Sequence, residues 1–130
     1  MKRNDVVKLK TQFDGILNVI EDSQVEFWYA RDLMLQLGYS EWRNFCSVIE
    51  KAKTACINVD VATPNHFVDI NKMVDLGSGS KRKIADIMLT RYACYLIAQN
   101  GDPRKDKIAF AQTYFAVQTR KQEILEEHIE

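Results

Sequence analysis

The chain has 130 residues, of which 46% are hydrophobic and 28% are charged, and its formal net charge at pH 7 is zero. These values predict one domain with a hydrophobic core and argue against a disordered polyelectrolyte and against a uniformly basic nucleic-acid binder. The longest apolar run, Ala93–Ala98, is far too short to cross a bilayer, and no apolar stretch follows the charged N-terminus. We therefore expect a cytoplasmic protein that makes no membrane contact.

The first third of the chain is predicted to hold two helices with a short strand between them. Apolar residues recur at helical spacing from Val6 to Ile20, although Gly15 weakens this pattern. Val25–Trp28 alternates and is rich in aromatic and β-branched residues, which favours a strand. Ala30–Leu37 is typical of a helix that Gly38 ends in a left-handed conformation.

The middle of the chain is predicted to hold a longer helix and a β-hairpin. Ser40 is placed to cap a helix from Glu41 to about Ile57. His66–Leu76 alternates as a strand does, Gly77–Ser80 is typical of a turn, and Lys83–Leu89 is predicted to be the returning strand.

The last third is predicted to be helical. Thr90 is placed to cap a helix to about Gln99, and Asn100–Pro103 breaks it because proline cannot continue a helix. A final helix is predicted from about Arg104 towards Ile129, with a buried set of Ile108, Ala111, Tyr114, Phe115, Val117 and Leu125. The fold class is therefore α+β, a single helix-dominated domain over residues 1–130 with a small antiparallel sheet or β-hairpin.

Positive charge is concentrated around the predicted hairpin. Residues 78–107 hold seven Lys or Arg and three Asp, a local charge of +4, and the final residues are acidic. In the segment GSGSKRK, a glycine-rich stretch is followed by Lys81, Arg82 and Lys83. Its backbone amides and these cations could together bind the phosphates of a nucleic acid. It lacks the spacing of a P-loop, so nucleotide hydrolysis is not expected. The alternative is a hairpin tip that its charges merely keep solvated.

Arg104, Lys105 and Lys107 form a second basic group at the predicted start of the last helix. Helix N-terminal amides bind phosphate, and cations at this end oppose the helix dipole, which favours a functional reason for their presence. The alternative is an ordinary solvated helix face.

Catalytic and metal sites are not predicted. The three cysteines contain no C-x-x-C pair and are expected to be reduced structural thiols, with Cys94 in the core. Asp69, Asp75 and Asp86 surround the hairpin, yet no D-x-D or H-x-E pattern supports acid–base or metal chemistry. We therefore expect a protein that is not an enzyme and has no cofactor.

Aromatic and arginine side chains on the last helices have two interpretations. The aromatics are Tyr92, Tyr95, Tyr114 and Phe115. Stacking platforms for bases are conceivable, but aromatics at helical spacing are more often part of the core. Arg91 and Arg120 are candidates to bind a phosphate or a carboxylate, and an intramolecular ion pair is the safer interpretation for Arg91.

Longer stretches of the sequence resemble a known family. Phe27–Leu33 and Leu37–Phe45 resemble the opening of the BRO-type N-terminal domain. Asp86–Pro103 and Ala111–Arg120 resemble the DNA-damage-inducible protein D family of bacteria. The resemblance covers nearly the whole chain from Phe13 onwards.

This resemblance implies a role in the DNA-damage (SOS) response, with a domain of the kind associated with DNA binding. It also implies that the chain is the N-terminal module of a longer protein or a short variant. We expect a non-enzymatic module that contacts phosphates of single- or double-stranded DNA through Lys81, Arg82, Lys83, Arg104, Lys105 and Lys107. The alternative is a protein-interaction or homodimerisation module that regulates recombination or repair proteins.

Overall fold

The computed structural model describes residues 2–58 and 62–116. Its helices are α1 (Arg3–Gly15), α2 (Ala30–Gln36), α3 (Trp42–Asn58) and α4 (Arg91–Gln99), with a 3-10 turn at Thr63–Asn65 and a last helical segment over residues 106–116. Its strands are β1 (Leu17–Ile20), β2 (Val25–Tyr29), β3 (Phe67–Asp75) and β4 (Lys81–Leu89). The predicted α+β class is confirmed. None of the helices in the described ranges has the length and apolar character needed to cross a membrane.

The four strands form one antiparallel sheet in the order β1-β2-β4-β3. β3 and β4 pair over nine residues each, whereas β2 meets β4 only at Trp28 opposite Leu89 and Tyr29 opposite Met88. The β3–β4 hairpin is therefore anchored to the sheet at one end and continues beyond it as a two-stranded ribbon.

The hydrophobic core lies where the anchored end of the sheet meets the helices. Trp28, Leu89 and Phe67 are cross-strand neighbours and are buried. The indole of Trp28 meets the ring of Phe115 edge-on, with centroids 5.3 Å apart, and Phe13 packs against the same ring at 5.9 Å. Aromatic pairs of this geometry add stability beyond their buried area, so the core joins β2, α1 and the last helical segment.

The predicted helix from Val6 to Ile20 is wrong beyond Gly15. α1 ends at Gly15, and Leu17–Ile20 is β1, which pairs with β2. The side chains that suggested a helix instead divide between the core and a sheet edge, where Val19 and Ile20 remain 46% and 41% exposed. β-Branched residues favour strands, and a partner strand satisfies the backbone groups that a helix would otherwise satisfy.

Several other boundaries differ from the prediction by one to three residues. α3 begins at Trp42, so Ser40 does not cap it. β4 begins at Lys81 rather than Lys83, and the last helical segment begins at residue 106 rather than at Arg104. Val117 and Leu125 lie outside the described residues.

The predicted strand at Val25, the helix from Ala30 and the helix from Arg91 are confirmed. Gly38 has a φ of 87°, as a left-handed helix stop requires. The Thr90 hydroxyl accepts a hydrogen bond from the Ala93 N–H at 3.2 Å, which is the predicted N-cap.

Candidate nucleic-acid interface

The part of the β3–β4 hairpin that extends past β2 is here called the β-arm, residues 69–87. Seven of its residue pairs, from Asp69 opposite Ile87 to Asp75 opposite Lys81, lie beyond the pairing with β2. A strand rises about 3.4 Å per residue, so the β-arm is about 20 Å long. Among the described residues, no side-chain hydrogen bond or ion pair ties its outer half, residues 73–83, to another element.

The tip of the β-arm is small and uncharged. The Leu76 N–H donates to the Ser80 carbonyl at 2.9 Å and closes the predicted turn. Gly77 and Gly79 have φ values of 84° and 80°, a region that only glycine occupies without strain. A narrow tip of this kind lets the backbone approach a large ligand closely.

The three cations that follow the turn point to opposite faces of the β-arm. Residues directly opposite in an antiparallel pair share a face, and the face alternates along the strand. Lys81 lies opposite Asp75, and Lys83 lies opposite Met73, on one face. Arg82 lies opposite Val74 on the other. All three cations are exposed, and each face of the outer half carries a net charge of +1.

A buried carboxylate anchors the inner end of the β-arm. Asp86 is 1% exposed, and its Oδ1 accepts hydrogen bonds from the backbone N–H groups of Arg31 at 3.1 Å and Ile87 at 2.8 Å. Its Oδ2 lies 2.7 Å from Lys72 Nζ as an ion pair, and that ammonium sits 3.4 Å from the ring centroid of Tyr29. Lys72 is therefore occupied structurally and is not free to bind a ligand.

Sequence reasoning placed Asp86 with the hairpin but missed its structural role. A single Asp inside the apolar run Ile84–Leu89 is a signal that could have shown it, because a buried acid requires partners. The Arg31 side chain strengthens the same junction, since its Nε donates to the Ala85 carbonyl at 2.7 Å.

A shallow groove of about 400 Å³ runs between α3 and the inner half of the β-arm. Trp42 lies on its α3 side, with the Arg31 guanidinium 4.1 Å from the ring centroid. Glu50 and Lys53 form an ion pair at 3.4 Å beside it. Partial burial raises the pKa of the Cys46 thiol in the same groove, which keeps it protonated rather than nucleophilic.

The second predicted basic group lies elsewhere. Arg104 donates through Nε and a terminal nitrogen to both carboxylate oxygens of Asp102, at 3.0 to 3.2 Å, and its side chain is 89% exposed. Lys107 Cδ is 3.9 Å from the position of a Cβ on Gly38, at the far end of α2. The β-arm meets the other end of α2, at Arg31, and Lys81, Arg82 and Lys83 lie in its outer half, away from that junction.

The acids around the hairpin do not converge. Asp75 lies near the tip, whereas Asp69 and Asp86 line the groove at the inner end. Among residues 2–58 and 62–116, no three His, Cys, Asp or Glu side chains are placed to hold a metal ion. Cys94 is buried, as predicted, and burial raises its pKa well above the ordinary value.

The remaining candidates have structural roles. Arg91 forms an ion pair with Glu26, which confirms the intramolecular interpretation. Tyr114 and Phe115 are buried in the core, and Tyr92 and Tyr95 pack against it. Arg120 lies outside the described residues.

Sequence comparison shows which known proteins this chain is similar to. Residues 17–116 match the BRO family, N-terminal domain. The chain is 50% identical over 111 residues to DNA damage-inducible protein D of Escherichia coli (strain K12). That alignment covers 85% of this chain and 40% of the relative, so the chain spans well under half the length of the protein it matches. No solved structure gives a significant match.

Proposed function

The chain belongs to the BRO family through its N-terminal domain, and on that premise we propose that it is a non-enzymatic DNA-binding module of a DNA-damage response protein. Its 50% identity to a protein named for induction by DNA damage supports the cellular context. Because the chain spans 40% of that relative, we further propose that the domain acts as one module of a longer protein.

The observation that carries the proposal is the β-arm. It presents Lys81, Arg82 and Lys83 on a ribbon whose outer half makes no side-chain hydrogen bond or ion pair to the described remainder of the chain. Exposed cations beside an uncharged glycine-rich turn suit the phosphate backbone, which supplies most of the affinity in sequence-independent DNA binding. The net charge of zero limits long-range attraction but leaves a local field within the Debye length of about 8–10 Å.

Arg104, Lys105 and Lys107 are proposed as secondary contacts. Arg104 is held by Asp102, and Asp106 stands between the two lysines, so this group adds less positive charge than its three cations suggest. Residues 103–105 precede the helical segment, which places Arg104 and Lys105 ahead of the helix N-terminal amides rather than on the helix.

Fluorescence anisotropy with labelled single- and double-stranded DNA at several salt concentrations tests the proposal. Each phosphate contact lowers the slope of log K against log[salt] by about 0.9 for duplex and about 0.7 for single strands. Replacing Lys81, Arg82 and Lys83 by alanine is expected to make the duplex slope less steep by about 2.7.

The matched control replaces Arg3, Lys8 and Lys51, exposed cations on α1 and α3, by alanine. It changes the net charge by the same amount and is expected to leave the slope within about 1 of the unmodified value. An equal change of the salt slope in both triple variants would show that binding depends on the total charge of the protein and not on the β-arm.

A protein-interaction module is the second candidate, because among the described residues no strand pairs with the outer side of β1. β1 is an edge strand, and Val19 and Ile20 on it and Val25 opposite Ile20 on β2 are 41% to 47% exposed. Edge strands pair readily with strands of other chains, either a recombination or repair protein or a second copy. Absence of DNA binding at low salt, together with a dimer mass by light scattering, would favour this function.

A further inference from the structure

The split of the three β-arm cations between two faces restricts how DNA can meet them. Lys81 and Lys83 share one face with Asp75, and Arg82 points from the other face. A ribbon that lies flat on a DNA surface engages only one face. A phosphate backbone along each side of the ribbon would let all three cations contact phosphates at once.

We propose that the β-arm inserts tip-first into the major groove of duplex DNA, so that each face meets the phosphate backbone of a different strand. The inference rests on the proposed DNA-binding function and adds the form of DNA and the groove. Duplex DNA presents two backbones on either side of a groove, whereas a single strand presents one.

The dimensions of the β-arm select the major groove. A sheet with its side chains is about 10 Å thick, the major groove is about 12 Å wide and the minor groove about 6 Å. The outer half contains three strand pairs, Met73 to Asp75 with Lys81 to Lys83, and the turn. At about 3.4 Å per residue it reaches the groove depth of about 8.5 Å.

The composition of the outer half also favours duplex over single-stranded DNA. Proteins that hold single strands stack bases on aromatic side chains. Residues 73–83 contain no aromatic residue, and the turn between Leu76 and Ser80 is built from glycine and serine. Such a tip can enter a groove of duplex DNA, where the bases stay paired and stacked.

The inner half of the β-arm is positioned to hold this orientation. α3 lies along the face that carries Asp69 and Asn71 and borders the groove described above. Asp86 fixes the opposite face through Lys72 and the backbone of Arg31. Hydrogen bonds to Arg31 therefore fix the inner half, whereas among the described residues no side-chain hydrogen bond or ion pair ties the outer half to another element.

Groove-specific DNA probes test the inference on the unmodified protein. Anisotropy is measured with one duplex that contains both cytosines and an A·T tract. In a second version of this duplex, glucosylated 5-hydroxymethylcytosine replaces cytosine and places sugar in the major groove. In a third sample, netropsin fills the minor groove of the unmodified duplex. We expect glucosylation to weaken binding at least tenfold and netropsin to change it less than twofold; the reverse pattern would overturn the inference.

Single substitutions test whether both faces bind together. Arg82→Ala and Lys83→Ala are each expected to reduce the affinity ratio between 50 and 200 mM salt by about 3.5-fold, and the double variant by about 12-fold. Lys51→Ala on α3 is the matched control and is expected to leave the ratio unchanged. An effect confined to either Arg82 or Lys83 would mean that one face lies against the DNA, which contradicts the inference.

Single-stranded DNA of equal length separates this inference from the proposed function. Equal affinity for both forms, with the same dependence on the β-arm cations, would overturn groove insertion and leave DNA binding intact. Failure to bind either form at 50 mM salt would overturn the proposed function itself and this inference with it.

Discussion

Thr90 connects the end of β4, the start of α4 and the loop before β3. Its Oγ1 accepts from the Ala93 N–H at 3.2 Å and lies 2.7 Å from His66 Nδ1, and its own N–H donates to the His66 carbonyl at 3.2 Å. A hydroxyl has one proton and two lone pairs, so Oγ1 can accept from the Ala93 N–H and also share a hydrogen bond with Nδ1, in a direction set by the imidazole tautomer. The N-cap and the imidazole are therefore parts of one small network.

Thr90→Ala is expected to destabilise the protein by about 1 to 2 kcal/mol, because it removes the N-cap acceptor and the partner of His66. Urea unfolding followed by circular dichroism measures the change. Thr90→Ser keeps the hydroxyl and is expected to retain most of the stability. Equal losses of stability in Thr90→Ala and Thr90→Ser would mean that the methyl group of Thr90, and not its hydrogen bonds, stabilises the protein.

His66 gives the protein a stability that depends on pH. Burial lowers the pKa of His66 below its ordinary value of 6.5, so the unfolded state takes up the proton first as pH falls. Its contribution is fully present above pH 6.5 and is lost as pH falls through the folded-state pKa. Urea unfolding between pH 8 and pH 5 is expected to show this decline, and His66→Asn is expected to reduce it. An unchanged pH profile in His66→Asn would contradict this role.

Asp86 shows how one element, β4, depends on three others. It joins β4 to the backbone of Arg31 at the start of α2, to Lys72 on β3 and, through that ammonium, to Tyr29 on β2. Asp86→Ala is expected to cost about 3 kcal/mol, because it leaves buried N–H groups and an ammonium without their acceptor. Urea unfolding measures the loss.

A double-mutant cycle separates the ion pair from the backbone contacts. Lys72→Met leaves the buried Asp86 carboxylate without its cation, and Asp86→Ala with Lys72→Met leaves neither charge unpaired. The double variant is expected to lose less stability than the sum of the single losses, by about 1 kcal/mol or more. Additive losses would mean that Lys72 adds nothing to the anchor.

Local signals predicted the elements that depend on neighbouring residues. The Gly77–Ser80 turn, the Thr90 cap and the Gly38 helix stop each rest on one or two residues, and the structure has them where the sequence placed them. β1 was mistaken for helix because its assignment depends on pairing with β2, and a helical apolar spacing is also compatible with a strand at an edge. A pattern read within a short stretch of sequence does not show which distant strand that stretch pairs with.

The candidate site was predictable in its residues but not in its geometry. The charges at Lys81, Arg82 and Lys83 are plain from the sequence, whereas their division between two faces depends on β4 starting at Lys81 rather than Lys83. A strand register that moves by one residue changes the face of every side chain. The pairing of Arg104 with Asp102 likewise depends on the conformation of the turn before the last helical segment.

Across the whole molecule, a neutral chain carries one basic group on the outer half of the β-arm and a second one just before and within the start of the last helical segment. Because they share no described contact, their effects on DNA binding are expected to be additive. Replacing Arg104, Lys105 and Lys107 by alanine is expected to make the salt slope less steep by about 1, against about 2.7 for the β-arm triple variant. Anisotropy at several salt concentrations measures both, and a larger effect at Arg104–Lys107 would move the main interface away from the β-arm.

We propose above all that this domain binds DNA through phosphate contacts of the β-arm. The most direct measurement is the affinity of the unmodified protein for a labelled duplex between 50 and 200 mM salt. Three to six contacts predict that log K falls against log[salt] with a slope of about −3 to −5. Absence of binding at 50 mM salt, or an affinity that does not change over this range, would contradict the claim.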